Sequence, residues 1–267
     1  MHCKIYGKKE DIWQKCTDYR SIQRNWLAFG YPTGSSRGHG GALRPKGRQA
    51  GRIGGAIQAD GGTAIVVAGD VADEDCRQRL IARCEQDLGG LDILINNAGI
   101  GAMGRFDEAT PERIRQIFEV NFFALAELIR ISLPMLKRSD DPIIVNISSV
   151  LGHRGAPLKS EYCASKFAVH GFSDSIRAEL ATDGVEVLLV SPSTTDSEFF
   201  DASIEDQTNK DWKKRGAMPP EIVAAKTIRA IRKRRHEIIL TFGGRILVWL
   251  DRLIPGLANR LMAKFGQ

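Results

Sequence analysis

Four runs in this chain are apolar at consecutive positions: TAIVVAGDV, LDILINNAG, DPIIVNISS and VEVLLVSPS. A strand wetted on one face alternates apolar and polar residues, so a continuous run demands burial on both faces. Between these runs lie stretches with apolar residues at helical spacing. DEDCRQRLIARCEQDLG ends on a glycine. TPERIRQIFEVNFFALAELIRISLPML opens on Thr110 as an N-cap and Pro111 at the first helical position. SEYCASKFAVHGFSDSIRAELATDG runs to Gly184. Strand alternates with helix from about residue 62 onward. That order predicts a parallel sheet covered by helices on both faces, the doubly wound α/β class. Ligands in such folds bind beyond the C-terminal ends of the strands. Asp70, Asn97, Ser149 and Pro192 all fall at such ends.

A chain of 267 residues can bury one large α/β core, and its hydrophobic fraction of 43% is ordinary for a globular protein. No apolar run reaches the roughly 20 residues that span a bilayer. The N-terminus MHCKIYGKKEDIWQK carries charges where a signal peptide needs an apolar core, which predicts a cytoplasmic protein. Cys3, Cys16, Cys76, Cys84 and Cys163 are odd in number and scattered. They read as thiols, with no metal set among them. The net charge of +6 is unevenly spread: residues 1–55 hold eleven Lys/Arg against three Asp/Glu, and ten of the 27 glycines. Two units are therefore expected: an anomalous segment 1–55, and a domain over 56–267 whose part 196–267 forms a helical substrate or lid region.

Tyr162 and Lys166 are four apart on a predicted helix and share one face. Tyrosine titrates near pH ~10, and a neighbouring ammonium favours its phenolate, making it a usable proton donor and acceptor near neutrality. Ser149 ends a strand thirteen residues earlier, where its hydroxyl can meet a substrate carbonyl. Tyr-x-x-x-Lys alone is weak, since most instances are surface helix residues. It gains weight beside Asn96-Asn97-Ala98-Gly99, Asp70-Val71, Asn121 within EVNFF, and Ser149 in SSVLG.

Together these pieces resemble the short-chain dehydrogenase/reductase family, closely over residues 56–200 and loosely beyond. The resemblance implies a Rossmann-like fold and a nicotinamide cofactor. It implies Tyr162 as general acid/base, Ser149 as the carbonyl's hydrogen-bond donor, and Lys166 as the group that lowers the tyrosine pKa and bonds the nicotinamide ribose. Asn121 would hold a water in the proton relay. Asp70 and Val71 would contact the adenine, Asn97, Ala98 and Gly99 the adenosine ribose side, and Pro192, Ser193 and Thr195 the cofactor beyond the sixth strand. The family pattern has Pro-Gly and a later threonine there; this chain has Pro192-Ser193 and Ser197. The implied reaction is hydride transfer between an alcohol/carbonyl pair and NAD(P)(H), in a homodimer or homotetramer built through the 111–136 and 160–182 helices. An epimerase or dehydratase could use the same Tyr-Lys pair.

Other readings of the residues stay open. A Ser-His-Asp hydrolase lacks its G-x-S-x-G elbow, and His153 and His170 read as ordinary polar or part-buried histidines. IRKRRHE reads as a solvated helix face. GRILVWLDRLIPGLANRLMAKF is apolar at helical spacing, which suits packing over the pocket or on a partner subunit. Its Arg245, Arg252, Arg260 and Lys264 also suit peripheral membrane contact. Phe199, Phe200 and Trp212 stand where the family has its mobile lid and suggest an apolar substrate. SSRGHGGALRPKGRQAGRIGG taken literally resembles an Arg/Gly nucleic-acid-binding tail.

The family needs a strand and a T-G-x-x-x-G-x-G turn well before residue 56, so that backbone N–H groups can cradle the pyrophosphate. WQKCTDYRSIQRNWLAFG stands there instead, with no glycine before Gly30. Read one base later, each codon takes two bases from one printed residue and one from the next. Trp13 before Gln14 then forces GGC, and Trp26 before Leu27 forces GGC or GGT; both are glycine. The codons between permit GKNVLITGASSGIG over positions 13–26, a buried strand followed by the missing turn. Pro45 and Lys46 permit Arg-Arg after the second strand, which favours NADP(H) over NAD(H) through its 2′-phosphate. Residues 13–55 are thus expected to be a shifted-frame translation of a dinucleotide-binding segment. That reading removes any need for a nucleic-acid partner. The chain as printed would lack the first strand and bind cofactor poorly, a cofactor-incompetent relative of the family.

Overall fold

The computed structural model describes residues 2–6, 27–29, 64–195 and 217–265. Positions 13–26, the glycine-bearing segment 34–41, and Ser197, Phe199, Phe200 and Trp212 lie outside the described residues. The regular part begins at β3 (Ala64–Ala68) and α1 (Glu74–Leu88). The Asp73 carboxylate accepts from the Asp75 N–H to start α1, and Gly89 ends it at φ +72°, a left-handed conformation glycine adopts without strain. β4 (Ile93–Asn96), β5 (Ile143–Ile147) and β6 (Glu186–Ser191) follow, each entered from a helix. The helices are α2 (Pro111–Phe118), α3 (Ala124–Leu136) and α4 (Ser160–Glu179), then α5 (Pro220–Arg232) before β7 (Glu237–Ile239), and finally α6 (Phe242–Leu253) and α7 (Pro255–Phe265).

β4, β5, β6 and β7 pair in parallel, as the continuous apolar runs predict. Neighbouring residues along them point into two different cores. Leu94, Ile144, Val187 and Leu189 meet Leu80 of α1, Leu128 of α3 and Val169 of α4. Ile93, Ile143, Val145, Leu188 and Val190 meet Ala230 and Ile231 of α5. Complete burial of a Leu or Ile side chain contributes about 1.5–3 kcal/mol, so Leu80, Leu94, Ile117, Leu128, Ile144 and Leu188 anchor both layers.

Two expectations need correction. The helix expected over 111–136 is interrupted: Glu119–Phe123 form a π-turn between α2 and α3, with Asn121 inside it. π-turns inside helices recur at functional sites. The printed chain was also expected to leave the sheet short of a central strand. Among the described residues the sheet instead has seven strands in the order β3-β1-β2-β4-β5-β6-β7. β2 (Leu27–Phe29) lies parallel to β4, pairing Leu27 with Leu94 and Ala28 with Ile95. β1 (His2–Tyr6) fills the gap to β3 but runs antiparallel to both neighbours. The physical reason is the edge: unpaired N–H and C=O groups on β3 and β4 accept any extended segment within reach. The slots are filled, by segments of different direction and only three to five residues long.

Candidate active site

The C-terminal ends of β4, β5 and β6 converge with α4. β5 delivers Ser149 two residues past its end. The Ser149 hydroxyl accepts from the Leu151 N–H at 3.1 Å and caps the short 3-10 turn Val150–Gly152. The Val150 N–H donates to the Pro192 carbonyl at 2.9 Å, and the Ser148 N–H to the Val190 carbonyl at 2.8 Å, tying this turn to the end of β6. Gly152 lets the turn approach α4. A methyl group there would lie 2.9 Å from the Lys166 carbonyl oxygen and 2.5 Å from the His170 ring.

Tyr162 and Lys166 share a face of α4, with Lys166 Nζ 5.7 Å from the centre of the Tyr162 ring. Lys166 is 4% exposed, and its Nζ donates to the Ile147 carbonyl at 3.1 Å. Burial lowers the Lys166 pKa from its ordinary value to about 8. The ammonium is therefore retained at neutral pH, close to its release point, beside the tyrosine. Tyr162 itself is half-buried.

Asn121 is nearly inaccessible, at 1% exposure. Its Oδ1 accepts from the Ile100 N–H at 2.8 Å. Its Nδ2 donates to the Ile100 carbonyl at 3.0 Å and to Ser165 Oγ at 2.9 Å. The side chain is committed to clamping the loop after Asn97-Ala98-Gly99 onto α4. Ser165 Oγ in turn donates to the Tyr162 carbonyl at 2.8 Å.

The adenine-side candidates are placed differently. Asp70 is exposed, and its Oδ1 accepts from the Ala72 N–H at 3.0 Å, while Val71 is buried at 1% exposure within the core. Asn97 and Ala98 are half-buried and Gly99 is buried past the end of β4. Pro192 is buried, and Ser193 and Thr195 are half-buried at the end of β6, where the Thr195 hydroxyl donates to the Ser193 carbonyl at 3.3 Å.

Sequence reading missed three supports of this site, because each joins residues far apart in the chain. Arg113 of α2 and Glu161 of α4 form an ion pair at 2.5 Å with side chains 1% and 2% exposed, directly before Tyr162. Burial raises the Glu161 pKa, but bonds from its backbone, Arg113 and Ser160 outweigh it and leave the carboxyl below its usual range. Asn96 donates to Asn146 at 2.9 Å, and Asn146 to Ser173 at 2.9 Å, locking β4, β5 and α4 together. His153 and His170 pack edge to face, with ring centres 4.3 Å apart. Burial, with His153 next to it, lowers the His170 pKa to about 4. Among the described residues Cys76, Cys84 and Cys163 are buried, and burial pushes the Cys84 thiol up to about 12.

The short chain dehydrogenase family profile matches residues 43–208. Ketoacyl reductase HetN of Nostoc sp. is 29% identical over 217 residues, covering 79% of this chain and 75% of that protein. Dehydrogenase/reductase SDR family member 7B of Mus musculus is 30% identical, covering 79% and 67%. Retinol dehydrogenase 8 of Bos taurus is 33% identical, but the match spans 54% of this chain and about half, 47%, of that protein. A Burkholderia phymatum short chain dehydrogenase/reductase solved with NAD superposes with a TM-score of 0.70 at 25% identity, covering 78% and 82%. A Burkholderia cenocepacia short chain dehydrogenase solved with NADP gives 0.63 at 25% identity, covering 73% and 77%.

Proposed function

This chain belongs to the short-chain dehydrogenase/reductase family, and from that premise we propose a Ser-Tyr-Lys reaction at the sheet's C-terminal edge. The nicotinamide would exchange a hydride with a carbonyl carbon when bound. Tyr162 would give or take the proton at the carbonyl oxygen, and Ser149 would hydrogen-bond that oxygen. Lys166 would hold positive charge beside the phenol and reach the nicotinamide ribose. Asn97, Ala98 and Gly99 would line the adenosine ribose side, Asp70 and Val71 the adenine, and Pro192, Ser193 and Thr195 the cofactor's other end. The single observation that carries this reading is the buried Lys166 ammonium, one helical turn from Tyr162 and 5.7 Å from its ring centre.

Both cofactors occur in the solved neighbours, one with NAD and one with NADP. The arginine pair permitted at Pro45-Lys46 by the second reading frame favours NADP(H). We take residues 13–55 as a shifted-frame translation, with 56–267 as the enzyme domain and 196–267 as its lid and C-terminal part. The family match covers residues 43–208, so it begins after positions 13–26 and overlaps the last part of the 13–55 segment. Coding DNA whose second frame does not read close to VLITGASSGIG would refute it. The chain translated from that frame across 13–55 should bind NADPH and reduce an apolar ketone. Tyr162→Phe in that chain should lose roughly 100-fold or more in turnover, with cofactor affinity retained. Retained turnover would end the proposal. The printed chain is the cofactor-incompetent alternative, and micromolar NADPH binding by it would reverse that assignment.

The ketoacyl reductase and retinol dehydrogenase among the relatives point toward an apolar substrate. α6 offers a way to meet one. Its outward stripe is Phe242, Ile246, Trp249 and Leu253, at 77, 50, 60 and 70% exposure, while Gly244 and Val248 face inward. A surface helix of a soluble protein normally turns its polar side outward. Leu257 and Leu261 of α7 extend the stripe, and exposed Arg245, Arg252, Arg260 and Lys264 border it. Among the described residues no helix is long and apolar enough to cross a membrane. A cytoplasmic enzyme resting α6 on an anionic bilayer suits this face. Binding to phosphatidylserine vesicles that is lost in Trp249→Glu would support this; equal binding by the variant would refute it. Phe123 and Phe167, 50 and 45% exposed on the faces of the 111–136 and 160–182 helices, suit the proposed homodimer or homotetramer.

A further inference from the structure

Behind the catalytic edge lies a cluster that the proposed reaction does not use. His153 follows the turn that carries Ser149, four residues on. His170 lies four residues past Lys166 on α4. Glu237 is the first residue of β7. One donor atom from each of the three lies within 4.8 Å of the other two. His153 Nε2 is 2.8 Å from Glu237 Oε1 and 3.4 Å from Ser191 Oγ. His170 is 9% exposed, and its Nε2 is buried with no hydrogen-bond partner. An unpaired buried polar nitrogen destabilises the fold. The chain keeps it there, and uses a glycine at 152 to make room for the ring.

We propose that His153, His170 and Glu237 form a site for one divalent transition-metal ion of the zinc type, its fourth position left to water. Two imidazoles and one carboxylate are a donor set that such ions prefer. Metal–ligand bonds of about 2.0–2.2 Å place tetrahedral ligand atoms roughly 3.4 Å apart. The His153–Glu237 contact must therefore open slightly, and donor atoms up to 4.8 Å apart must draw in by up to about 1.4 Å. Glu237, with its side chain 37% exposed, opens the cluster to solvent. The bound ion would join β7, the Ser149 turn and the Tyr162–Lys166 helix. Its part is structural: it braces the two segments that position the reacting groups and takes no share in hydride or proton transfer.

The test is titration of the full-length chain with Co2+ and Zn2+ at neutral pH. One Co2+ should bind, with the visible bands of a four-coordinate nitrogen/oxygen site and without thiolate charge-transfer absorption. Zn2+ should displace it and raise the melting temperature. Glu237→Gln keeps a hydrogen-bond partner for His153, and His170→Phe keeps the edge-to-face ring contact. Each should weaken Zn2+ by more than the roughly 100-fold that loss of an outer-shell partner can cost. Thiolate absorption, no one-to-one binding, or unchanged affinity in both folded variants would overturn the proposal.

Discussion

Lys166→Met should make this protein more stable while removing its activity. Lys166 is buried at 4% exposure, and its Nζ donates to the Ile147 carbonyl at 3.1 Å. Its pKa falls from 10.5 to about 8 on folding, through desolvation. At 1.36 kcal/mol per pKa unit, holding the ammonium in that site costs about 3 kcal/mol. Methionine has similar length and no charge, so the substitution removes that cost. It also forfeits the hydrogen bond to Ile147, worth about 1 kcal/mol. A net gain of about 2 kcal/mol remains, or roughly 4–8 °C in melting temperature for a domain of this size. The sign over pH is fixed. Below pH 8 both folded and unfolded states carry the proton, and the full penalty acts on the parent chain. Between pH 8 and 10.5 the unfolded state binds more protons than the folded one, so the parent's stability rises with pH from this group. The gap between variant and parent should therefore be widest below pH 8 and close as pH climbs to 10.5. Urea unfolding of both chains at pH 7, 9 and 10.5 measures it, and other titrations cancel in the difference. A variant less stable than the parent at pH 7, or a gap that ignores pH, would refute the reasoning.

Asn121→Ala should destabilise by about 3 kcal/mol, because it strands the Ile100 N–H and carbonyl in a buried site. A loss well under about 1 kcal/mol in urea unfolding would show the clamp is unimportant. Removing either partner of the Arg113–Glu161 pair should cost about 3–5 kcal/mol, since the other charge is left buried alone. Arg113→Met combined with Glu161→Leu should recover much of that loss, and a double variant as unstable as the singles added together would contradict the argument. Gly152→Ala should lower the melting temperature and slow turnover together, because the added methyl meets the Lys166 carbonyl and pushes the Ser149 turn off α4.

The parallel sheet was readable because its strands are apolar at every position, and that pattern follows from helices on both faces. Ser149, Tyr162 and Lys166 were readable because a helix turn and a strand end fix their spacing locally. The π-turn at Glu119–Phe123 was not, since EVNFF continues the helical apolar pattern without a break. Within it Asn121 bonds the Ile100 backbone, a contact 21 residues distant that no local period announces. The Arg113–Glu161 and Asn96–Asn146–Ser173 contacts join positions 27 to 50 residues apart, beyond any local period.

The same distinction separates the two histidines from the metal motifs that sequence can announce. A zinc helix writes its ligands one turn apart on a single element. Here His153 comes from a turn, His170 from a helix and Glu237 from an edge strand, and the chain order leaves 16 and 66 residues between them as gaps with no meaning of their own. What brings them together is the parallel pairing of β6 with β7, which sets Glu237 beside Leu189, and the close approach of Gly152 to α4. The Gly152 approach also sets the Ser149 turn against the Tyr162–Lys166 helix, and His153 Nε2 links that turn to Glu237 at 2.8 Å. Anything that loosens the β7 edge should therefore disturb the catalytic turn, and anything that ties Glu237 to the histidines should steady it.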